Sequence, residues 1–271
     1  MPSRRTLALT AVAAGASAFI GLASASAARL PALPFSPETQ TAPDQHGSGA
    51  SWSYSGATGP EYWSTLDPAY AACADASQTP INVVSPTPHS KAAPVISYQG
   101  GKVTGFNNGH TIQVTSAPGN TVMVNGTKST LLQMHFHAPS EHTINGRRYP
   151  AEAHFVNEAA DGSLTVVGVL LTTGRQRNAA WAPFVRTAQL PEGTTRSAPL
   201  NWPALLPSSR RSYRYSGSLT TPPCTEGVNW VLLTQPVTIS AAQMKALEAA
   251  YDHNSRPVLP LNGRQVIVTK K

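Results

Sequence analysis

LLQMHFHAPSEHTINGRRYPAEAH, residues 131–154, is the stretch on which the reading of this chain turns. It carries His135, His137 and His154. The first two stand two apart in a largely apolar run, and residues i and i+2 of a strand point to the same face. Both imidazoles therefore project together. Asn145-Gly146 is a hairpin turn signal. The chain then returns through 151–156 and brings His154 alongside. Three neutral imidazoles converging from two paired strands make a metal site. They are the ligand set of a catalytic zinc with a fourth position open to water. Plain core histidines in this pattern would each need a buried polar partner.

A rival reading uses the same residues. Cupin-type barrels also carry His-x-His, then a glutamate four residues on, then a distant histidine. Glu141 lies four after His137. In that reading Glu141 is a ligand and the metal is iron or manganese.

The remaining chain sets the frame. Its 271 residues, 41% hydrophobic, suffice for one sizeable domain. Only 12% are charged, and 20 glycines with 24 prolines favour turns and strands over long helices. The formal net charge is +7. Its Lys and Arg residues are scattered and not interleaved with aromatics. The charge therefore reads as solubility, and nucleic acid is excluded as a partner.

Arg4-Arg5 precedes an apolar stretch, 7–22, and Ala25-Ser26-Ala27 supplies a small-residue cleavage site. Residues 1–27 thus read as a signal peptide cut after Ala27. The paired arginines point to the twin-arginine route, with a general secretory signal as the alternative. The expected location is periplasmic or secreted, with no membrane attachment after cleavage. Residues 28–50, with four prolines and polar filler, read as a disordered linker. Residues 51–271 then form one folded domain. The two cysteines, Cys73 and Cys224, suggest a bridge in an exported protein. It would close a loop of about 150 residues, valued at roughly 4–5 kcal/mol by the chain-entropy model.

Short strands are expected at 95–98, 102–107, 111–115 and 121–124, then in the histidine stretch and at 164–171, 214–218, 228–233 and 265–268. A short helix is expected at 181–190. A clearer one spans 240–251, with Ser240 as N-cap and Met244, Leu247 and Tyr251 on one face. Leu219-Thr220-Thr221-Pro222-Pro223 is a loop fixed by consecutive prolines. The pattern is β-dominated around one sheet.

Six motifs then fall in a known order: GPEYW at 59–63, QTPIN at 78–82, NNGH at 107–110, QMHFH at 133–137, SEHTINGRRYPAEAH at 140–154 and SLTTPPCTEGVNW at 218–230. On these the chain resembles the alpha-class carbonic anhydrases of the exported bacterial kind, over about 52–268. The cupin reading falls with this. Its second motif wants Pro-x-Gly before the last histidine, where Pro150-Ala151-Glu152 stands.

The resemblance implies a mainly β (α+β) single domain. Its core is a large, twisted, mostly antiparallel sheet of about ten strands with a few short peripheral helices. It implies zinc at the base of a conical cleft, held by His135, His137 and His154. The reaction implied is reversible hydration of carbon dioxide to bicarbonate and a proton, by attack of zinc-bound hydroxide. Neutral ligands leave the metal its full charge to acidify water, an effect whose size is known from carbonic anhydrases themselves.

Gln133 and Glu152 each stand two before a ligand, so they share its face and can fix its tautomer. By resemblance Gln133 supports His135, Glu152 supports His154, and a backbone carbonyl near Asn254 supports His137. Thr220, paired with Glu141, would orient the nucleophile. Thr221 would contact bicarbonate, and Val156, Val166, Leu219 and Val228 would form the apolar wall for carbon dioxide. His110 matches a proton shuttle, since histidine titrates near neutrality. Tyr54, Asn108 and Gln113 match positions that hold a water chain, with Gln113 where asparagine is common. His142 matches a structural residue bonded to Glu152 and Tyr215. Cys73 and Cys224 match the bridge of exported members. The competing class is a non-catalytic binding module, but such domains lose zinc histidines and this chain keeps all three. Weak ester hydrolysis and a homodimer are left open.

Overall fold

The histidine stretch folds as two long antiparallel strands in the middle of a twelve-stranded sheet. The computed structural model describes residues 50–251 and 253–270. The segments expected as a signal peptide, 1–27, and as a linker, 28–50 save its last residue, lie outside the described residues. Everything described belongs to one compact unit, Asp44–Lys271.

In chain order the elements are α1 (Trp63–Leu66), β1 (Asn82–Val83), β2 (Thr87–Pro88), β3 (Val95–Ser97), β4 (Gly101–Asn107) and β5 (Ile112–Thr115). Next come β6 (Thr121–Val124), β7 (Thr127–His137), β8 (Thr143–Ile144), β9 (Arg147–Arg148), β10 (Ala151–Ala159) and β11 (Leu164–Gly174). The chain ends with α2 (Ala182–Thr187), β12 (Thr195–Leu200), β13 (Ser212–Ser218), β14 (Glu226–Ser240), α3 (Ala241–Ala250) and β15 (Ile267–Val268). The large sheet runs β12-β4-β5-β7-β10-β11-β14-β13-β15-β2, with β6 pairing both β7 and β3. Most pairs are antiparallel; β11–β14 and β15–β2 are parallel. A small sheet, β1-β8-β9, carries the Asn145-Gly146 turn, both residues at positive φ.

Alternation along these strands divides the core in two. Met134, Phe136, Ala153, Phe155, Val167, Val169, Val231 and Leu233 enter the main cluster on one face. The other face of the same strands buries Val156, Val166, Leu170, Trp230 and Leu232 in a second cluster. The histidines belong to this second face, because His154 stands opposite His135 and Gly168. Gly168 is required there. A Cβ would sit 2.8 Å from Leu232 and 3.3 Å from a carboxylate oxygen of Glu152.

Two elements depart from the sequence expectation for local reasons. β14 is fifteen residues long, though Pro236 reads as a stop. Its register with β11 shifts between Val169 and Leu171, so residues 234–236 are skipped by the ladder and the proline costs no hydrogen bond. β12 is an edge strand, largely exposed, and lacks the alternation that marks a half-buried strand. Helix α3 begins with a capping box in which Ser240 Oγ accepts from Gln243 N–H and Gln243 Oε1 accepts from Ser240 N–H. Among the described residues no helix is long and apolar enough to cross a membrane.

A third cluster, Trp52, Trp63, Tyr70, Cys73 and Cys224, is aromatic and carries the Cys73–Cys224 disulfide across a separation of 151 residues. Native bridges contribute about 2–4 kcal/mol. Reduction is therefore expected to lower Tm by about 8 °C in a domain of this size. Melting curves with and without reductant, with free thiols counted, check this. An unchanged Tm in fully reduced protein would remove the stabilising role.

Candidate metal centre

Strand pairing brings the three histidines into one group whose ligand atoms lie within 4.8 Å of one another. Each ring nitrogen on the far side is held by an oxygen that accepts. Gln133 Oε1 accepts from His135 Nδ1 at 2.8 Å. The Asn254 carbonyl accepts from His137 Nδ1 at 2.6 Å. Glu152 Oε1 accepts from His154 Nε2 at 2.9 Å. These acceptors force the proton onto that nitrogen and leave His135 Nε2, His137 Nε2 and His154 Nδ1 as free lone pairs. Burial pushes His135 well below the ordinary imidazole range, takes His137 down to about 4, and lowers His154. All three are neutral at pH 7, the state a metal ligand needs.

A second group, His142, Glu152 and His154, is also tight enough for a metal, but its facing atoms are used up. His142 Nδ1 donates to Glu152 Oε1 at 2.7 Å, His142 N–H donates to Oε2 at 2.9 Å, and His142 Nε2 shares a 2.6 Å hydrogen bond with the Tyr215 hydroxyl. Burial alone would raise the Glu152 carboxyl, yet His142 and His154 outweigh it and hold it well below its ordinary value. This group is a hydrogen-bonded support behind the first.

Glu141 is fully buried and stands beside the three histidines without joining their set. Its Oε1 accepts the Arg256 N–H at 2.8 Å. Its Oε2 lies 3.5 Å from His137 Nε2 and 3.9 Å from His154 Nδ1. Because those imidazoles are neutral, neither contact is an ion pair. Burial raises the Glu141 carboxyl to about 7, while His154, the Arg256 N–H and the Thr220 hydroxyl pull the other way. The Thr220 hydroxyl is near enough to favour the carboxylate, yet Oε2 itself makes no hydrogen bond.

His137 Nε2 and Glu141 Oε2 are both buried atoms with no hydrogen-bond partner. Such orphans are rare and need an explanation. Here three imidazole lone pairs converge beside a carboxyl that brings a negative charge when ionised, so the site fits a cation.

A cleft of about 310 Å³ opens above this group. Val156, Val166, Leu219, Leu164 and Trp230 supply apolar lining, and Tyr54, Asn108, His110, Gln113, Thr220 and Thr221 supply polar lining. Val228 is buried in the second cluster, behind this lining and not on it. His110 follows Gly109, whose φ of 82° suits glycine. Asn108 Oδ1 accepts from His110 N–H at 3.0 Å and Thr111 N–H at 2.8 Å, which fixes the turn. The His110 ring stacks on Trp52 at 3.8 Å between centroids.

The Thr220 loop is held from several sides. Trp230 Nε1 donates to the Ser218 carbonyl at 2.9 Å, and Gln78 Nε2 donates to the Cys224 carbonyl at 3.1 Å. Arg256, only 2% exposed, donates through Nη1 to Gln78 Oε1 and the Thr79 carbonyl, and through Nη2 to the Cys73 carbonyl. Arg256 thus reaches both Glu141 and the supports of the Thr220 loop. Sequence reasoning missed Arg256 and Trp52. No periodicity or motif marks an arginine whose partners lie 115 to 183 residues away. Trp52 sits in an irregular aromatic segment that gives no sign of facing His110.

These environments predict how metal-free protein responds to acid. A histidine depressed from 6.5 toward 4 contributes stability above pH 6.5 that is lost as pH falls. Glu141, raised from 4.5 to about 7, contributes stability at low pH that is lost as pH rises. Three histidines oppose one carboxylate, so stability should fall from pH 6.5 to 4.5 by at least about 1 kcal/mol per pH unit. Denaturant titration of metal-free protein at the two pH values checks this. Equal or greater stability at pH 4.5 would contradict the assignment of neutral histidines.

The family model for eukaryotic-type carbonic anhydrase matches residues 58–270. The chain is 41% identical over 221 residues to a carbonic anhydrase of Pectobacterium carotovorum, covering 80% of this chain and 90% of that one. It superposes on the alpha-carbonic anhydrase of Thermovibrio ammonificans, solved with the inhibitor sulfanilamide, with a TM-score of 0.75 and 42% identity. That match covers 82% of this chain and all of the other. The Photobacterium profundum alpha-carbonic anhydrase gives a TM-score of 0.75 at 40% identity over 81% of this chain and all of that one.

Proposed function

This chain is an enzyme of the eukaryotic-type, alpha-class carbonic anhydrase family, and from that premise we propose that it is an exported zinc enzyme hydrating carbon dioxide reversibly to bicarbonate and a proton. The observation that carries the proposal is the convergence of three neutral imidazoles, with tautomers fixed by acceptors, on one point. His135 Nε2, His137 Nε2 and His154 Nδ1 would hold the zinc. When bound, the ion supplies hydroxide from water near neutral pH, the water pKa falling to about 7, a magnitude known from carbonic anhydrase zinc and taken over as such.

The chain's own residues do the remaining work. Gln133, Glu152 and the Asn254 carbonyl keep the three rings aimed, so binding costs little reorganisation. Glu141 would accept a hydrogen bond from the Thr220 hydroxyl, whose oxygen is then left to accept from the nucleophile and orient it. Val156, Val166 and Leu219 keep water from the side where apolar carbon dioxide arrives, and Thr221 offers a hydroxyl to bicarbonate. His110 carries the released proton to buffer, and the Trp52 ring holds it at the cleft wall. Tyr54, Asn108 and Gln113 would order the waters between. A cleft of this kind also admits small activated esters, so weak hydrolysis of these is expected.

Residues 1–27 as a signal peptide, 28–50 as a linker and 51–271 as the catalytic domain complete the proposal. The disulfide and the bacterial relatives are consistent with export. Metal analysis combined with stopped-flow hydration tests the central reading. One zinc per chain and rapid hydration are expected. Zinc-loaded protein without hydration activity would favour the non-catalytic binding module instead. For the shuttle, His110→Ala should lower turnover by about tenfold in dilute buffer, with recovery in imidazole. Equal turnover at every buffer concentration would remove that role.

A further inference from the structure

His110 stands on a turn that is gripped from a distant part of the chain. Tyr251, which ends α3, sends its hydroxyl to Asn107 Oδ1 across a separation of 144 residues. Asn107 is the last residue of β4 and is buried. The same Oδ1 accepts the Gly109 N–H at 3.1 Å. Asn107 Nδ2 donates to the Leu190 carbonyl at 2.7 Å, so the amide is oriented from both ends. Burial raises the Tyr251 hydroxyl to about 12, which keeps it protonated and makes it the donor. One phenol O–H thus secures the entry of the turn.

The exit of the turn is secured from the same segment. Three residues after Tyr251, Asn254 Nδ2 donates to the His110 carbonyl at 3.0 Å. Tyr251 is itself anchored away from the turn. Its N–H donates to the Leu247 carbonyl at 3.1 Å, and its side chain packs against the main apolar cluster. His110 lines the cleft, while Tyr251 and Asn107 do not. The Tyr251 hydroxyl therefore reaches the site through the turn and touches no substrate.

A proton carrier works by distance. Displacement of a reacting group by about 1 Å can cost up to about 100-fold in rate. The Trp52 stack covers one face of the His110 ring, but stacked rings can slide, so the backbone beneath must be held as well. We propose that Tyr251 is a positioning residue for His110: its hydroxyl, through Asn107, sets where the turn presents the imidazole to the cleft. The proposal rests on the reading of His110 as the proton carrier and adds to it a residue outside the cleft.

The test uses zinc-loaded full-length protein and stopped-flow hydration at several buffer concentrations. Tyr251→Phe deletes one oxygen and keeps the ring. Asn107 Oδ1 keeps the Gly109 N–H, so no acceptor is stranded and Tm should stay within about 2 °C of wild type. In dilute buffer kcat should fall about threefold, the weight of one hydrogen bond. Proton transfer to buffer follows bicarbonate release, so kcat/KM should stay within about twofold. Imidazole should restore kcat. In a His110→Ala background Tyr251→Phe should have no further effect, because residues acting as one unit are not additive. Wild-type kcat in Tyr251→Phe beside a slow His110→Ala would overturn this assignment alone. So would a second threefold loss in the double variant, or an equal fall in kcat and kcat/KM, which marks general damage to the site. Unaltered turnover in His110→Ala would overturn the proton-carrier reading, and this assignment with it.

Discussion

His137→Ala should reduce bound zinc from one per chain to near zero and hydration by at least about 10⁴-fold. The size follows from the nucleophile. Without the metal, water returns from a pKa near 7, the known carbonic anhydrase value, to about 15.7, and hydroxide at neutral pH becomes scarce. His137 is the sharpest choice among the ligands because its Nε2 is the one that is buried without any hydrogen bond. In metal-free protein that atom contributes nothing favourable, but the substitution also removes the 2.6 Å bond from Nδ1 and strands the buried Asn254 carbonyl, at a cost of about 1–3 kcal/mol. Tm of the variant should therefore lie roughly 5 °C below that of metal-free wild type. Metal analysis, stopped-flow hydration and a melting curve on one preparation separate the outcomes. Full activity in a variant verified to be free of zinc would end the zinc-based reading. Loss of activity together with unfolding would leave the ligand role undecided for His137, and His135→Ala, at a less buried ring, would then carry the test.

Arg256→Ala should cost about 4 kcal/mol and lower Tm by roughly 10 °C. The guanidinium is buried and stays charged at pH 7, although desolvation lowers it to about 10. Removing it takes the guanidinium donors from the buried carbonyls of Thr79 and Cys73 and leaves Gln78 Oε1 with the Ser218 hydroxyl alone. It also removes the cation over the Trp63 ring, 5.4 Å from its centroid. Activity should fall as well, because Gln78 in turn holds the Cys224 carbonyl beside the Thr220 loop. Arg256→Lys offers one point charge in place of a planar fork and should recover only part of both losses. A Tm within 2 °C or so of wild type for Arg256→Ala would show that these contacts are not important for stability.

The histidine pair was legible because strand alternation is a local rule, and Asn145-Gly146 announced the return of the chain. The registers of Gln133 and Glu152 followed from the same parity. The parts of the site that sit on loops were legible only through resemblance: nothing near Thr220 or Glu141 indicates that they meet. Arg256 was invisible for a related reason. Its effect depends on carbonyls, and carbonyls are present at every residue, so sequence gives no sign of which ones it finds. Strand ends failed differently. Pro236 looks like an end until the ladder steps around it, and β12 has no apolar rhythm because it is an exposed edge.

The division of β7 and β10 between two faces has a consequence for error. Gln133, His135 and His137 alternate with Met134 and Phe136, and His154 alternates with Ala153 and Phe155. A slip of one residue in either strand would turn imidazoles into the main apolar cluster and aromatic rings toward the cleft. Such a chain would lose its core and its ligand set at the same step. Packing therefore acts as a proofreader for the site: molecules that have folded well enough to persist have, by the same test, aligned their histidines. A population of this protein should contain few well-folded but misaligned copies, and zinc occupancy should track the folded fraction.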